Sequence, residues 1–320
     1  MTGDARTMPT DSTGRSMRLT DPMQSRSSSI ARAPVHLRAQ DIEDYRKQGY
    51  LSPLAAFSSH QARAWRGRLE QSERVHGLRD AQRRKMHLYL TWVDEIARSA
   101  AILDRVENLI GPDILVYHIT LWLKEPHTDA FVSWHQDSTY FGLTPADHVT
   151  AWVALSPSND RSGCVQVIPG SHHQGQLAHD VALNPANLFP TGHQVQVDGT
   201  ATVASMPLAP GEFSLHHTYL LHHSMANQSD DRRIGLGISY IPTRCRCIAS
   251  TRLSASLVRG TDRFGHFDLD PHPRADHDPA ALAVHARAMQ RWGDARAELI
   301  PMAHRQDGSP TATGGQAHYE

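Results

Sequence analysis

Residues 1–34 carry no periodic run of apolar side chains and are rich in Ser, Thr, Arg and Pro, a composition that predicts a disordered N-terminal tail. Ordered structure is expected from Leu37. The stretch 39–49 (AQDIEDYRKQG) reads as a short helix stopped by Gly49. Residues 60–76 and 93–110 also show helical spacing. In the second of these Ile96, Ala100, Leu103, Val106 and Ile110 share one face, and Gly111-Pro112 ends it.

From Ile114 the period of the pattern drops to two. Strands are expected at 114–123, 131–136, 148–155, 164–168, 193–197, 202–206, 212–221 and 234–241. The turn-rich segments SPSNDRSG, PGSHHQG, PLAPGE and NQSDDR separate several of them. Many short strands with this punctuation indicate a mostly β protein, a sandwich or barrel. Beyond Pro242 the pattern is mixed, until a last helix at 279–292 places Leu282, His285, Ala286 and Met289 on one side. The expected organisation is a single domain over 35–300 with its β core at about 114–242, flanked by N-terminal and C-terminal helices. Residues 301–320 are expected to form a flexible C-terminal tail. At 320 residues the chain is long enough to bury one sizeable core.

Charge and composition remove several classes of function. A formal net charge of −1 offers no polyanion-binding surface, so nucleic acid is not an expected partner. No apolar run reaches the roughly 18–20 residues of a membrane span, and the N-terminus lacks the apolar core of a signal peptide. A soluble, cytoplasmic protein is expected. The 3 cysteines, Cys164 and the pair Cys245 and Cys247, suit neither a disulfide framework nor a zinc knuckle and read as reduced thiols. The 22 histidines are an excess that makes any short histidine motif easier to meet by chance.

That excess bears on the candidate chemistry. In Trp134-His135-Gln136-Asp137 a histidine and an aspartate stand two apart, and on a strand they point to one face. A second histidine from a distant strand would complete a two-histidine, one-carboxylate set with open positions, which suits iron(II). The spacing alone is weak, because His127/Asp129, His266/Asp268 and His318/Glu320 share it or come close to it. Only His135 ends an alternating apolar run. The second histidine is sought in PGEFSLHHTYLLHHSMANQSDDRR (210–233), where a strand ends at His222-His223 and Arg233 follows eleven positions after His222. If 212–223 and 233–241 form a hairpin, Arg233 returns beside the metal, where a guanidinium could grip the far carboxylate of 2-oxoglutarate. Alternation sends His222 and His223 to opposite faces, and the spacing to Ser224 and Arg233 favours His222.

These stretches carry a resemblance. WHQDSTYFGL (134–143), TAWVALSPSNDRSGCVQVIPGSH (150–172) and PGEFSLHHTYLLHHSMANQSDDRRIGLGISYIP (210–242) resemble, in order, the phytanoyl-CoA dioxygenase family of iron(II)/2-oxoglutarate oxygenases. The resemblance implies a double-stranded β-helix, the cupin-like jelly roll. It implies iron held by His135, Asp137 and His222, with O2 as co-substrate. It further implies 2-oxoglutarate contacts from Arg233 and Ser224, a pocket wall from Trp152, and a lysine contact from Lys85, with Lys124 as the competing candidate. The implied reaction is hydroxylation of an unactivated C–H bond of a small molecule, with release of succinate and CO2. Two departures stand out. The family's segment His-Gly-Ser-Gly-Pro-Asn is here His222-His223-Ser224-Met225-Ala226-Asn227. Asp137 is present where related halogenases have a small residue, which favours hydroxylation over halogenation.

Blander readings stand beside these. Trp152 could be a core aromatic, Asn227 a turn former, and Asp230-Asp231-Arg232 a solvated turn, while His216, His217 and His223 read as supports behind the metal ligands or as packing residues, not as ligands. A zinc-dependent hydrolase could use the same three ligands but leaves Arg233 without a role. A catalytically inactive jelly-roll binding protein is the third possibility. Substrate identity and oligomeric state are not written in any motif.

Overall fold

The computed structural model describes residues 35–189 and 192–306, with side chains up to Leu299; the expected N-terminal tail and residues 307–320 lie outside the described residues. The N-terminal part holds α1 (Ala39–Gln48), β1 (Tyr50–Ala55), α2 (Ser59–His76), α3 (Thr91–Ala97) and α4 (Ala100–Ile110). The central part holds β2 (Ile114–Lys124), β3 (Val132–His135), α5 (Ser138–Phe141), β4 (Val149–Ala154), β5 (Val165–Val167), β6 (Ala204–Met206), β7 (Glu212–His217), β8 (His222–Ser224) and β9 (Arg233–Pro242). β10 (Ser254–Arg259), β11 (Asp268–Leu269) and α6 (Pro279–Gln306) complete the chain.

Two sheets result. The larger has seven strands in the order β1-β7-β4-β9-β2-β10-β11, and the smaller four in the order β3-β8-β5-β6. All pairings are antiparallel except β10 with β11. This is the expected jelly roll, and the alternation of side chains explains how it assembles. On β4, β7 and β9 the residues Val149, Ala151, Val153, Phe213, Leu215, Ile234, Leu236, Ile238 and Tyr240 face a core shared with Trp92, Ile96, Leu103 and Val106 of α3 and α4. The opposite parity faces the smaller sheet, where Trp152 and Ala154 pack with Val165, Val167 and Met206. Apolar packing of both sheet faces drives the assembly.

A bulge keeps β2 in phase. Ser239 pairs with His118 but Tyr240 pairs with Val116, so β2 carries one extra residue there. Ile114 and Val116 before the bulge, and Ile119, Leu121 and Leu123 after it, consequently all reach the helix-side core.

Several expected elements differ. The helix expected over 93–110 is two helices, because Ser99 caps α4 with its side chain accepting from the Ala101 N–H at 3.3 Å. The strand expected over 212–221 splits: β7 lies in the large sheet and β8 in the small one. The expected hairpin therefore does not form. β9 pairs with β2 and β4 instead of with β7 or β8. The final helix runs on to Gln306, past 292 and into the segment expected to be a flexible tail. Strands β1 and β10 lack the alternation that marks the others. β1 contains Pro53 at a sheet edge, as a strand residue without an N–H must. All three cysteines are free. No helix among the described residues is long and apolar enough to cross a membrane.

Candidate active site

β3 ends at His135, and the chain turns at once into α5, with Asp137 in helical backbone conformation at its N-terminus. The pair is therefore placed by a strand end and a helix start, not by two residues of one strand. Gln136 between them holds this turn: it is fully buried, its amide donates to the carbonyls of Gly175 and Tyr219 at 2.8 Å each, and its Oε1 accepts from the Leu177 N–H at 2.8 Å.

His222 is directly opposite His135 in the pairing of β8 with β3. Its Nε2 lies 3.7 Å from Asp137 Oδ1, and His135 Nε2 lies 3.8 Å from the same oxygen. Among the described residues these three form the one group able to hold a metal ion, their ligand atoms all within 4.8 Å of one another. Each histidine is oriented from behind, as His135 Nδ1 is 2.8 Å from the Ser133 carbonyl and His222 Nδ1 is 2.9 Å from that of Leu220. A carbonyl can only accept, so each Nδ1 carries the proton and each Nε2 presents a lone pair. Burial, then the neighbouring His222, pushes His135 well below its ordinary pKa; burial pushes His222 down to about 4. Burial acts to raise the Asp137 carboxyl, but contacts with His216 and His222 outweigh it and hold it well below the ordinary carboxylate range. Two neutral imidazoles and one carboxylate at neutral pH are the protonation states a metal requires.

Asp137 Oδ2 is held in turn. Thr150 on β4 donates to it at 2.6 Å, leaving the Thr150 oxygen to accept from His148 Nε2 at 3.0 Å, while His148 Nδ1 lies 3.0 Å from the Thr218 hydroxyl. His216 Nε2 on β7 lies 3.4 Å from the same Oδ2. His223, on the other face of β8, stacks on Trp134 at 3.8 Å between centroids and meets Gln166 Oε1 at 2.8 Å. The competing motifs gather no third partner: Asp268 is bound by Arg252 and Arg291, and His127 lies against Asp230 in solvent. His318 lies outside the described residues.

Beside the triad is a pocket whose lining includes Trp122, Trp152, Ser224 and Arg233. Arg233 is 1% exposed, its Nε has no hydrogen-bond partner, and among the described residues its side chain forms no ion pair. Its guanidinium rests 5.1 Å from the centroid of Trp152. Burial lowers its pKa to about 10, so it stays charged. Room for the two tryptophans comes from glycines of β9 on the pocket side. A Cβ at Gly235 would lie 2.2 Å from Trp152 Cζ2, and one at Gly237 2.9 Å from Trp122 Nε1.

Arg233 pairs across the sheet with Lys124, whose Nζ donates to Ser224 Oγ at 2.7 Å, to the Ser224 carbonyl at 3.0 Å and to the Met225 carbonyl. Burial, then the Arg233 charge, pushes Lys124 down to about 6. Because Lys124 occupies a lone pair of Ser224 Oγ, the serine proton is free for another acceptor. Lys85 is not brought here. Its Nζ donates to the Ser254 carbonyl at 2.8 Å and lies 3.9 Å from Asp270, buried behind β2 and β10. Its backbone N–H is bound to the Ile119 carbonyl, which fixes it on that side. Asn227 is fully buried, and its amide donates to the carbonyls of Lys124 and Asp231. It shapes the turn leading into β9. The following Asp231 and Arg232 are not merely solvated: Arg66 clasps Asp231, and Arg232 binds Glu73 and Glu125, pinning α2 to this turn.

The model of the phytanoyl-CoA dioxygenase family matches residues 35–235, more than half of the chain. The chain belongs to that family. Iron(II) and 2-oxoglutarate are the cofactors of this family of oxygenases. A probable alpha-ketoglutarate-dependent hypophosphite dioxygenase of Stutzerimonas stutzeri is 28% identical over 48% of this chain and 54% of its own length. An L-proline trans-4-hydroxylase of Streptomyces griseoviridis is 28% identical over 45% of this chain and 61% of its own. The chain thus spans a little over half the length of these curated relatives. The solved apo structure of the non-heme monooxygenase ThoJ superposes with a TM-score of 0.73 at 31% identity, covering 82% of this chain and 99% of that one.

Sequence reasoning alone did not single out Thr150 or His148, and left His216 open between supporting the ligands and packing. A signal existed. Thr150 has the parity of Trp152, and His216 the parity of Ser214, opposite to the apolar residues of β4 and β7. Polar residues on that parity point at the site.

Proposed function

We propose that this chain is an iron(II)/2-oxoglutarate-dependent dioxygenase that hydroxylates an unactivated C–H bond of a small molecule. The observation that carries the reading is Arg233: a buried, charged guanidinium without an anionic partner, lining the same pocket as two neutral histidines and a carboxylate. An unpaired buried cation costs several kcal/mol, and a carboxylate supplies both the missing charge and a bidentate hydrogen-bond partner. A zinc hydrolase would leave that charge unexplained.

His135 Nε2, His222 Nε2 and an Asp137 oxygen would hold the iron. When bound, iron(II) with 2-oxoglutarate supplies the reaction in which O2 gives one oxygen atom to succinate, CO2 is released, and the other atom is inserted into the substrate C–H bond. The protein supplies position and dryness. Arg233 and the free proton of Ser224 orient the far carboxylate of the keto acid, Trp152 walls its carbon chain, and Lys124 holds Ser224 in place. Thr150 and His216 keep the second Asp137 oxygen occupied, so that the first faces the metal position.

The test is anaerobic loading of the full chain with Fe(II) and 2-oxoglutarate, followed by admission of O2 and measurement of succinate. Metal- and keto-acid-dependent succinate formation is expected. In Asp137→Ala, stoichiometric iron binding and succinate formation should both be lost. Wild-type iron affinity and turnover in that variant would overturn the assignment.

A further inference from the structure

A second cavity adjoins the metal pocket and shares Trp122 and Asp137 with it. Its walls are aromatic. Tyr140 and Phe189 stack with centroids 4.7 Å apart, Phe189 meets the ring of His135 edge-on at 4.4 Å, and Trp292 of α6 stacks on His118 at 4.4 Å. A flat or apolar body fits such a lining.

Its charged residues are unevenly paired. Arg84 is neutralised locally by Asp80, 2.5 Å away. Arg83 and Arg296 line the same cavity, and among the described residues neither side chain makes a hydrogen bond or ion pair. Arg83 Nε is itself buried without a partner. Arg296 is half-buried, and burial and then the nearby Arg84 charge lower its pKa against the pull of Tyr140 and Asp80. The remaining acid of the lining, Asp137, is turned to the metal ligands and to Thr150. The cavity therefore presents two guanidinium groups with no carboxylate among the described residues bound to them, each a planar fork matched to carboxylate or phosphoryl oxygens.

We infer that the substrate is an anionic small molecule with an aromatic or flat apolar body, its carboxylate or phosphoryl group held by Arg83 and Arg296 while a C–H bond faces the metal position at Asp137. This deepens the oxygenase reading and rests on it. Arg233 serves the keto acid in the first pocket; Arg83 and Arg296 serve the substrate in the second.

Trp122 and Trp292 lie in the cavity lining, so their fluorescence reports on occupancy. The full chain is titrated with 3-phenylpropionate, 2-phenylethylphosphonate and the neutral 3-phenylpropionamide, both metal-free and loaded anaerobically with Fe(II) and saturating 2-oxoglutarate. At least one anion should bind ten or more times more tightly than the amide. The stronger of the two anions identifies carboxylate or phosphoryl as the favoured group. Arg83→Gln and Arg296→Gln should each reduce this preference about tenfold, with Arg296→Lys intermediate because it keeps charge but loses the fork. Near-ultraviolet circular dichroism establishes that each variant is folded. An amide that binds as well as both anions, an anion preference that survives the double Gln variant, or no binding of any probe would overturn the proposal. Failure of the oxygenase reading is distinguishable: succinate would not form, while the metal-free chain would still prefer the anions.

Discussion

Arg233 stands at a site where burial and charge oppose each other, and its energetics separate ligand binding from stability. In the ligand-free protein it is a desolvated cation that pairs across the sheet with Lys124, itself pushed toward neutrality, and rests against Trp152. Arg233→Met keeps the volume and removes the charge, so the ligand-free protein should gain about 1–3 kcal/mol of stability in urea denaturation, as buried ions replaced by apolar groups often do. The same variant should require ten to a hundred times more 2-oxoglutarate for half-maximal succinate formation, the loss expected for a charge-assisted bidentate contact. A variant that is destabilised and keeps wild-type keto-acid affinity would show Arg233 to be a structural cation. At this scale much was legible. His135, Asp137, His222, Ser224, Trp152 and Arg233 all line one pocket. The lysine was not legible, because Lys85 and Lys124 differ in which side of β2 they reach. The contact of Lys85 with the Ser254 carbonyl is made by a strand 169 residues distant.

At the level of the strand, β9 shows how one stretch serves two purposes. Its apolar parity, Ile234, Leu236, Ile238 and Tyr240, feeds the helix-side core, and the other parity places Arg233, Gly235 and Gly237 toward the site. The glycines are required by approach: β9 lies beneath Trp152 and Trp122, and a methyl group at 235 would enter the Trp152 ring. Gly235→Ala should cost about 1–3 kcal/mol, the usual penalty of overpacking. It should also weaken 2-oxoglutarate binding, because Trp152 must shift from beside Arg233. Equilibrium denaturation and keto-acid titration of this variant check both; unchanged values would mean that Trp152 has room to move freely. The alternation in IGLGISYI made this strand plain from sequence. The hairpin expected to return Arg233 to the metal was not, because local pattern cannot reveal that the chain changes sheets between His217 and His222. That change is held by distant contacts, with Ser171 Oγ accepting from the Leu221 N–H at 2.9 Å and Thr218 meeting His148. Arg233 reaches the pocket by pairing of β9 with β4 and β2 instead.

Across the whole molecule, α6 brings Trp292 to a cavity that shares Asp137 with the metal pocket. Trp292 is 5% exposed, lies within a cluster with Leu115, Tyr117, Phe141 and Phe267, and also forms part of the second cavity's wall. Its position makes cavity shape and global stability depend on one side chain. Trp292→Ala should therefore lower the unfolding free energy by about 3–5 kcal/mol, the range for deleting a large buried aromatic. Trp292→Phe should lower it by less, since a ring still covers His118 and Tyr117. The two variants separate the roles: Phe should keep the fold while enlarging the cavity and shifting preference toward bulkier anions, whereas Ala should lose stability and probe affinity together. Urea midpoints with unchanged denaturant slopes, measured beside the fluorescence titrations, provide the check. If Trp292→Ala unfolded at the wild-type urea concentration, α6 would be a detachable appendage, and the cavity it lines could not be a substrate site maintained by the cooperative core.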